Sequence, residues 1–246
     1  MKYDLARPRV IILAGGRGRR LAPYTTVLPK PLMPIGDMPI LEVVIRQLYA
    51  YGFKDIVLAV GYLSSLLEAY FGDGKRWDVN IQYSHEDAPL GTAGPIALVP
   101  NLDQTFMLMN GDLLTTLNYR DMWHFHSAQQ AVATVGLFEK RVKVDLGVIE
   151  ADESGSIIGY VEKPELKYQV SMGIYFFEPQ VLDYIPRGER LDLPDLIRTL
   201  LKHGARVLSY PFNGQWLDIG RHDDYGRAVE LFEANRHQFL PQEDEW

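Results

Sequence analysis

The chain of 246 residues has no cysteine at all. That excludes disulfides, thiolate metal centres and a cysteine nucleophile. No apolar run approaches the roughly 20 residues that a membrane span needs. The first apolar stretch is short and runs into arginines, so no secretory leader is expected. Positive charge is also in deficit, with 25 Lys and Arg against 32 Asp and Glu, a net charge of −7. General nucleic-acid or anionic-membrane binding wants an extended basic surface, and neither partner is expected. Cytoplasm is the expected compartment. Repeats and Pro/Ser/Gly linkers are missing too. With 47% hydrophobic residues, the chain can bury a substantial core in one domain.

One stretch reverses the charge deficit. No acid occurs between Asp4 and Asp37, while Arg7, Arg9, Arg17, Arg19, Arg20 and Lys30 all do. Within it, Val10 to Ala14 reads as a buried strand that stops at Gly15, Gly16 and Gly18. Glycine lets backbone N–H groups approach a ligand closely. A glycine turn with guanidinium groups at a strand end describes a phosphate cradle. It is not the dinucleotide G-x-G-x-x-G, which would put glycine where Leu21 stands. It is not a P-loop either, because Gly18 is followed by Arg19 and not by Lys-Ser/Thr.

Strands expected at 56–60 and 79–83 alternate with helices expected at 39–51 and 63–71. That alternation predicts βαβ units, right-handed crossovers and a mostly parallel sheet. Ligands of such sheets bind at the carboxyl ends of the strands. The strand at 106–109 ends in Asn110-Gly111-Asp112, where an aspartate is well placed for Mg²⁺, although Asn-Gly-Asp is also good turn chemistry. A helix is expected at 119–127, with His124 and His126 off a common face and read as packing or surface residues. A strand is expected at 132–138. Beyond it come strands at 146–149, 157–162, 170–177 and 206–210. Asp192 is expected to cap a helix through 201, with Pro194 in its first turn. A last helix is expected from 221 to 236, then a polar tail over 237–246. The fold class is therefore α/β: a Rossmann-like, mixed and mostly parallel sheet flanked by helices, with a smaller β-rich portion in the second half.

The pattern G-G-x-G-x-R-L, then Pro23, Thr25 and Pro29-Lys30-Pro31, resembles the signature of the sugar-1-phosphate nucleotidyltransferases. Arg19 departs from it, standing where that family usually has threonine. Further matches follow: Pro89-Leu-Gly91-Thr92-Ala-Gly94, Asn110-Gly-Asp112, Asp145-Leu-Gly147, Glu162-Lys163-Pro164, Ser171-Met-Gly173 and Trp216-Leu-Asp218-Ile-Gly220. The resemblance implies one domain over 1–236, with a nucleotide half at about 9–115 and a sugar half at about 116–236. It implies NTP contacts at Leu13, Ala14, Gly15, Gly16, Gly18, Glu86, Gly91 and Thr92. It implies sugar-phosphate contacts at Gly147, Glu162, Lys163, Ser171 and Gly173, with Ser171 replacing the family's Asn or Val. Arg20, Lys30 and Asp112 would be catalytic, and Asp112 and Asp218 would hold Mg²⁺.

The implied reaction is NTP + sugar-1-phosphate → NDP-sugar + pyrophosphate. Its nucleophile is already an anion, so the absence of a Ser/His/Asp arrangement is no objection. Positioning and charge neutralisation must do the catalysis. Glu86 aligns with the residue that reads the base edge. A carboxylate only accepts hydrogen bonds, and guanine presents two adjacent donors, so GTP with mannose- or heptose-1-phosphate is favoured. Uridylyl, thymidylyl or cytidylyl transfer to a glucose- or amino-sugar-1-phosphate stays open, and so does a homo-oligomer. A catalytically dead regulatory relative should have lost Lys30 or a metal aspartate. A glycosyltransferase would want Asp-x-Asp where Asn110-Gly-Asp112 stands.

Overall fold

The computed structural model describes residues 7–241. In chain order its strands are β1 (Arg9–Leu13), β2 (Pro34–Ile35), β3 (Met38–Pro39), β4 (Asp55–Val60), β5 (Asn80–His85), β6 (Phe106–Asn110), β7 (Leu113–Thr115), β8 (Ala133–Lys143), β9 (Val148–Ala151), β10 (Ile157–Val161), β11 (Glu165–Phe177), β12 (Val207–Phe212) and β13 (Trp216–Asp218). The α-helices are α1 (Ile40–Ala50), α2 (Ser64–Phe71), α3 (Tyr119–Ser127), α4 (Leu193–Lys202) and α5 (His222–Phe239).

Seven strands form one sheet in the order β12-β8-β11-β6-β1-β4-β5. β1 lies parallel to both β4 and β6, β4 is parallel to β5, and β12 is parallel to β8. Only β11 runs antiparallel to its neighbours β6 and β8. Strands from both halves of the chain thus share one mixed, mostly parallel sheet. Every residue of Val10–Ile12 is fully buried because the sheet is covered on both sides. Val10 and Ile12 join the core under α1, α2 and α3, and Ile11 joins the opposite core with Leu196 and Leu200 of α4.

The sheet order makes β1 a switch point: the chain leaves it to β4 on one side and later returns to β6 on the other. A crevice opens where connections diverge in this way. Register keeps the strand ends level, since Leu13 pairs with both Ala59 and Asn110. The loops after β1, β4, β5 and β6 therefore crowd one edge.

A third core packs Leu21, Met33 and Ile35 against Phe232, Phe239 and Leu240. This corrects the expected tail. α5 continues to Phe239, and Phe239 and Leu240 are buried, so the polar tail does not begin at 237. Residues 242–246 of that expected tail lie outside the described residues.

β8 and β11 run on past the sheet as a two-stranded ribbon, with Glu139 opposite Gln169 and Lys143 opposite Glu165. The β9–β10 hairpin sits at its end. This arm exposes Leu146, Ile149, Ile157, Ile158, Tyr160 and Val161.

Candidate active site

A cavity of about 950 Å³ occupies the crevice, lined by Leu13 through Arg20, Lys30, Gly61, Tyr62, Glu86 through Pro89, Gly91, Thr92, Asn110, Asp112, Arg190, Asp218 and Gly220. Its first wall is the glycine loop. Ala14 N–H still follows the sheet, donating to Ala59 O at 2.8 Å, and Tyr62 N–H donates to Gly15 O at 3.2 Å. Among the described residues, no backbone acceptor takes the N–H groups of Gly15, Gly16, Arg17 or Gly18. Unpaired donors at a strand end favour an anionic ligand. Gly18 is required there: its φ is +58°, and a Cβ would stand 2.9 Å from Thr25 Cγ2. Thr25 is buried and ties the loop by donating from Oγ1 to Gly18 O at 2.8 Å. Arg17 stacks over Tyr62 at 5.5 Å. Arg19 and Arg20 make no salt bridge among the described residues; the Arg20 guanidinium lies close to Gly220.

The floor is ionic. Lys30 is buried and hydrogen-bonds to Asp112 Oδ2; its Nζ lies 3.9 Å from Asp218 Oδ1. β13 pairs with β7 so that Asp218 faces Leu113, and Ile219 N–H donates to Asp112 O at 3.2 Å. That pairing brings together two aspartates more than a hundred residues apart in sequence. Desolvation at the floor, and then the Asp112 carboxylate, push the Asp218 carboxyl above its usual value; Lys30 and Arg20 pull the other way. Among the described residues no three His, Cys, Asp or Glu side chains cluster as a complete metal cage. Two convergent carboxylates do fit Mg²⁺, which is commonly held by one or two carboxylates together with substrate phosphates and water.

The wall after β5 begins two residues later than expected. β5 runs through His85, and Glu86 N–H still pairs with Val60 O at 3.1 Å. The Glu86 side chain then turns inward. Its Oε2 accepts from Leu90 N–H at 3.0 Å, and its Oε1 lies over Gly15 and Gly61, where a Cβ would come within 2.6 and 2.9 Å. Gly91 has φ +81°, and a Cβ there would meet Leu191 O at 2.5 Å.

The expected sugar contacts are not gathered into this cavity. Gly173 comes nearest, buried at a bulge in β11 with its Cα against the Asn110 side chain. Ser171 is exposed and hydrogen-bonds to Tyr175 at 2.8 Å. Gly147, Glu162 and Lys163 lie on the arm. Tyr160 OH donates to Glu162 Oε2 at 2.8 Å and covers Gly147, while Lys163 holds a left-handed φ of +46°.

A model of the family described as nucleotidyl transferase matches residues 9–235. The chain belongs to that family. The chain is 35% identical to a UTP–glucose-1-phosphate uridylyltransferase of Synechocystis, over 90% of this chain and 62% of the relative. It is 32% identical to a mannose-1-phosphate guanylyltransferase of Mycobacterium tuberculosis, over 89% of this chain and 62% of that relative. The chain thus spans about 62% of the length of these two curated relatives. A solved structure from Bacillus anthracis, titled as a glucose-1-phosphate thymidylyltransferase in complex with a sucrose, superposes with a TM-score of 0.74 at 26% identity. That match covers 92% of this chain and 95% of the other.

Sequence reasoning missed Tyr62, Asn110, Arg190 and Gly220 as wall residues. Asn110 reads as turn chemistry beside its aspartate. Arg190 lies about a hundred residues from the segment it adjoins, so only the folded chain places it there. His124 is exposed and His126 is buried, each as expected. Among the described residues no helix is long and apolar enough to cross a membrane.

Proposed function

We propose that the chain transfers a nucleotidyl group from an NTP, with GTP favoured, to a mannose- or heptose-1-phosphate in the cytoplasm. The observation that carries this reading is Lys30, buried between Asp112 and Asp218 on the floor of a glycine- and arginine-lined cavity. A sugar-phosphate oxygen attacks the α-phosphorus, the bond to the bridging oxygen breaks, and pyrophosphate leaves with that electron pair. No proton moves, so no general base is needed.

The free N–H groups of Gly15 to Gly18 and the Arg20 guanidinium hold the β- and γ-phosphates. Lys30 spans the α-phosphate and the incoming phosphate. Charge-assisted hydrogen bonds of this kind are worth roughly 1.5–3 kcal/mol each. Asp112 and Asp218 would hold Mg²⁺, which supplies charge neutralisation at the α-phosphate. Leu13, Ala14, Glu86, Gly91 and Thr92 take the nucleoside. Gly147, Glu162, Lys163, Ser171 and Gly173 take the sugar phosphate once the arm is over the crevice.

The GTP preference rests on Glu86. Its Oε1 lies against Gly15 and Gly61, which line the cavity with it, and its Oε2 keeps a second lone pair beside the Leu90 bond, so both can accept from guanine N1–H and N2–H₂. The Synechocystis relative favours UTP as the second reading. Pyrophosphate release with Mg²⁺, over GTP, UTP, dTTP, CTP and ATP against mannose-, glucose-, N-acetylglucosamine- and heptose-1-phosphates, tests both. Release in the GTP row alone is the expected result. Release in the UTP row alone would keep the reaction and discard the Glu86 argument. A folded protein that releases nothing and binds no nucleotide in calorimetry would overturn the reaction as well.

A further inference from the structure

The second half of the chain sends one cation into the base side of the cavity. Arg190 lines it together with Glu86, Asp87 and Pro89. Its position is not that of a loose surface loop. Leu191 N–H donates to Leu90 O at 2.9 Å, and Leu191 O accepts from Ala93 at 2.8 Å and from Gly94 at 3.1 Å. Asp192 Oδ1 accepts from Thr92 N–H at 3.1 Å, and Thr92 Oγ1 accepts from Leu193 N–H at 2.8 Å. Gly91 has no side chain where Leu191 O and Asp192 Oδ1 press closest. The backbone under Arg190 is therefore stitched to the segment that walls the base. Asp192 Oδ2 then receives Arg190 Nη2 at 3.3 Å, while the side chain stays 72% exposed and most of its N–H groups stay open to a ligand.

We infer that Arg190 is a base-specificity residue, donating to the O6 and N7 edge of guanine while Glu86 accepts from its N1–H and N2–H₂. The chemistry of the two side chains is complementary. Glu86 offers only acceptors and Arg190 only donors. Guanine is the base that pairs two adjacent donors with two adjacent acceptors, and Arg bidentate to O6 and N7 is its commonest specific partner. Adenine presents an amino donor where guanine has O6, so Arg190 would reject it. The inference rests on the GTP reading above.

The test is kcat/KM for GTP and 7-deaza-GTP in the intact chain, for wild type, Arg190→Ala and Arg190→Lys. Arg190 is exposed, so the variants are expected to fold, and melting curves check this. In wild type, 7-deaza-GTP should be about tenfold poorer than GTP. Arg190→Ala should lose at least about tenfold on GTP, chiefly through KM, and should no longer distinguish the two nucleotides. Arg190→Lys should recover only part, because an ammonium has no bidentate fork. A folded Arg190→Ala within twofold of wild type on GTP, or one that still discriminates against 7-deaza-GTP, would overturn the assignment and leave the GTP reading standing. A wild type active with UTP and silent with GTP would overturn the GTP reading, and this assignment with it.

Discussion

The crevice at the sheet edge and the β9–β10 arm carry the two halves of the expected site, and they are built differently. In the crevice, three of the lining segments follow strand ends whose register is fixed by neighbours. Asp112 follows β6, the glycine loop follows β1, and Glu86 follows β5. On the arm, Gly147, Glu162 and Lys163 are held by the β9–β10 hairpin, the Val144 N–H to Pro164 O bond at 3.0 Å and the Tyr160–Glu162 hydrogen bond. A site built on strand ends is assembled before any ligand arrives. A site on an exposed ribbon has to be brought to its partner. The difference predicts that damage in the crevice reduces turnover or nucleotide capture, whereas damage on the arm weakens capture of the sugar phosphate alone.

The largest effect should come from the ionic floor. Lys30→Ala or Asp112→Asn should lower kcat at least about a hundredfold, around 2.7 kcal/mol of transition-state stabilisation. Steady-state kinetics with both substrates saturating would check it, with melting curves to show that the variants fold. Activity within threefold of wild type would remove Lys30 and Asp112 from their roles.

Next comes the wall around Gly91. Gly91→Ala puts a methyl group against Leu191 O at a φ of +81°, a strain of about 1–3 kcal/mol. The NTP KM should rise about tenfold or more and the melting temperature should fall, with the sugar-phosphate KM little changed. An unaltered NTP KM would separate this wall from nucleotide binding.

The arm should behave in the opposite way. Glu162→Ala and Lys163→Ala should each raise the sugar-phosphate KM about tenfold and leave both the NTP KM and the melting temperature unchanged, because both side chains are exposed. Equal changes in the two KM values would erase the contrast between crevice and arm.

The smallest effect concerns stability away from both regions. His126 is buried between Thr134 and Glu178, and burial lowers its pKa from 6.5 while Glu178 partly opposes this. The unfolded chain therefore takes up this proton first as pH falls. The stability linked to His126 is present above pH 6.5 and is lost as pH drops through the lowered folded value. Melting temperatures at pH 7 and pH 5 should fall further apart in wild type than in His126→Gln. An equal fall would mean that His126 contributes nothing to the acid limb.

Much of the crevice was legible in the sequence because its chemistry sits at strand ends marked by glycine. The bounds of α3 were legible too, and in the structure Asn118 caps it by accepting from Arg120 and Asp121 N–H. The outer ribbon was not. Glu139 to Lys143 is exposed and, apart from Val142, charged, so nothing in its pattern shows that β8 continues to pair with β11. The role of Asp192 was read only in part. It stands at the N-cap of α4, but its carboxylate is turned to Thr92, and the Thr92 hydroxyl accepts from Leu193 instead. Phe239 and Leu240 looked like tail because their partners, Met33 and Ile35 among them, lie two hundred residues away. Arg190 escaped for the same reason: contact between distant segments leaves no local periodicity.

The most direct measurement is calorimetry of each substrate alone and then together, with Mg²⁺ present and with Asp112→Asn to stop turnover if necessary. A preassembled crevice predicts that GTP binds by itself, and that mannose- or heptose-1-phosphate binds measurably only once nucleotide is in place. Sugar phosphate binding equally well to the free protein would contradict the account, because the arm would then hold a complete site of its own.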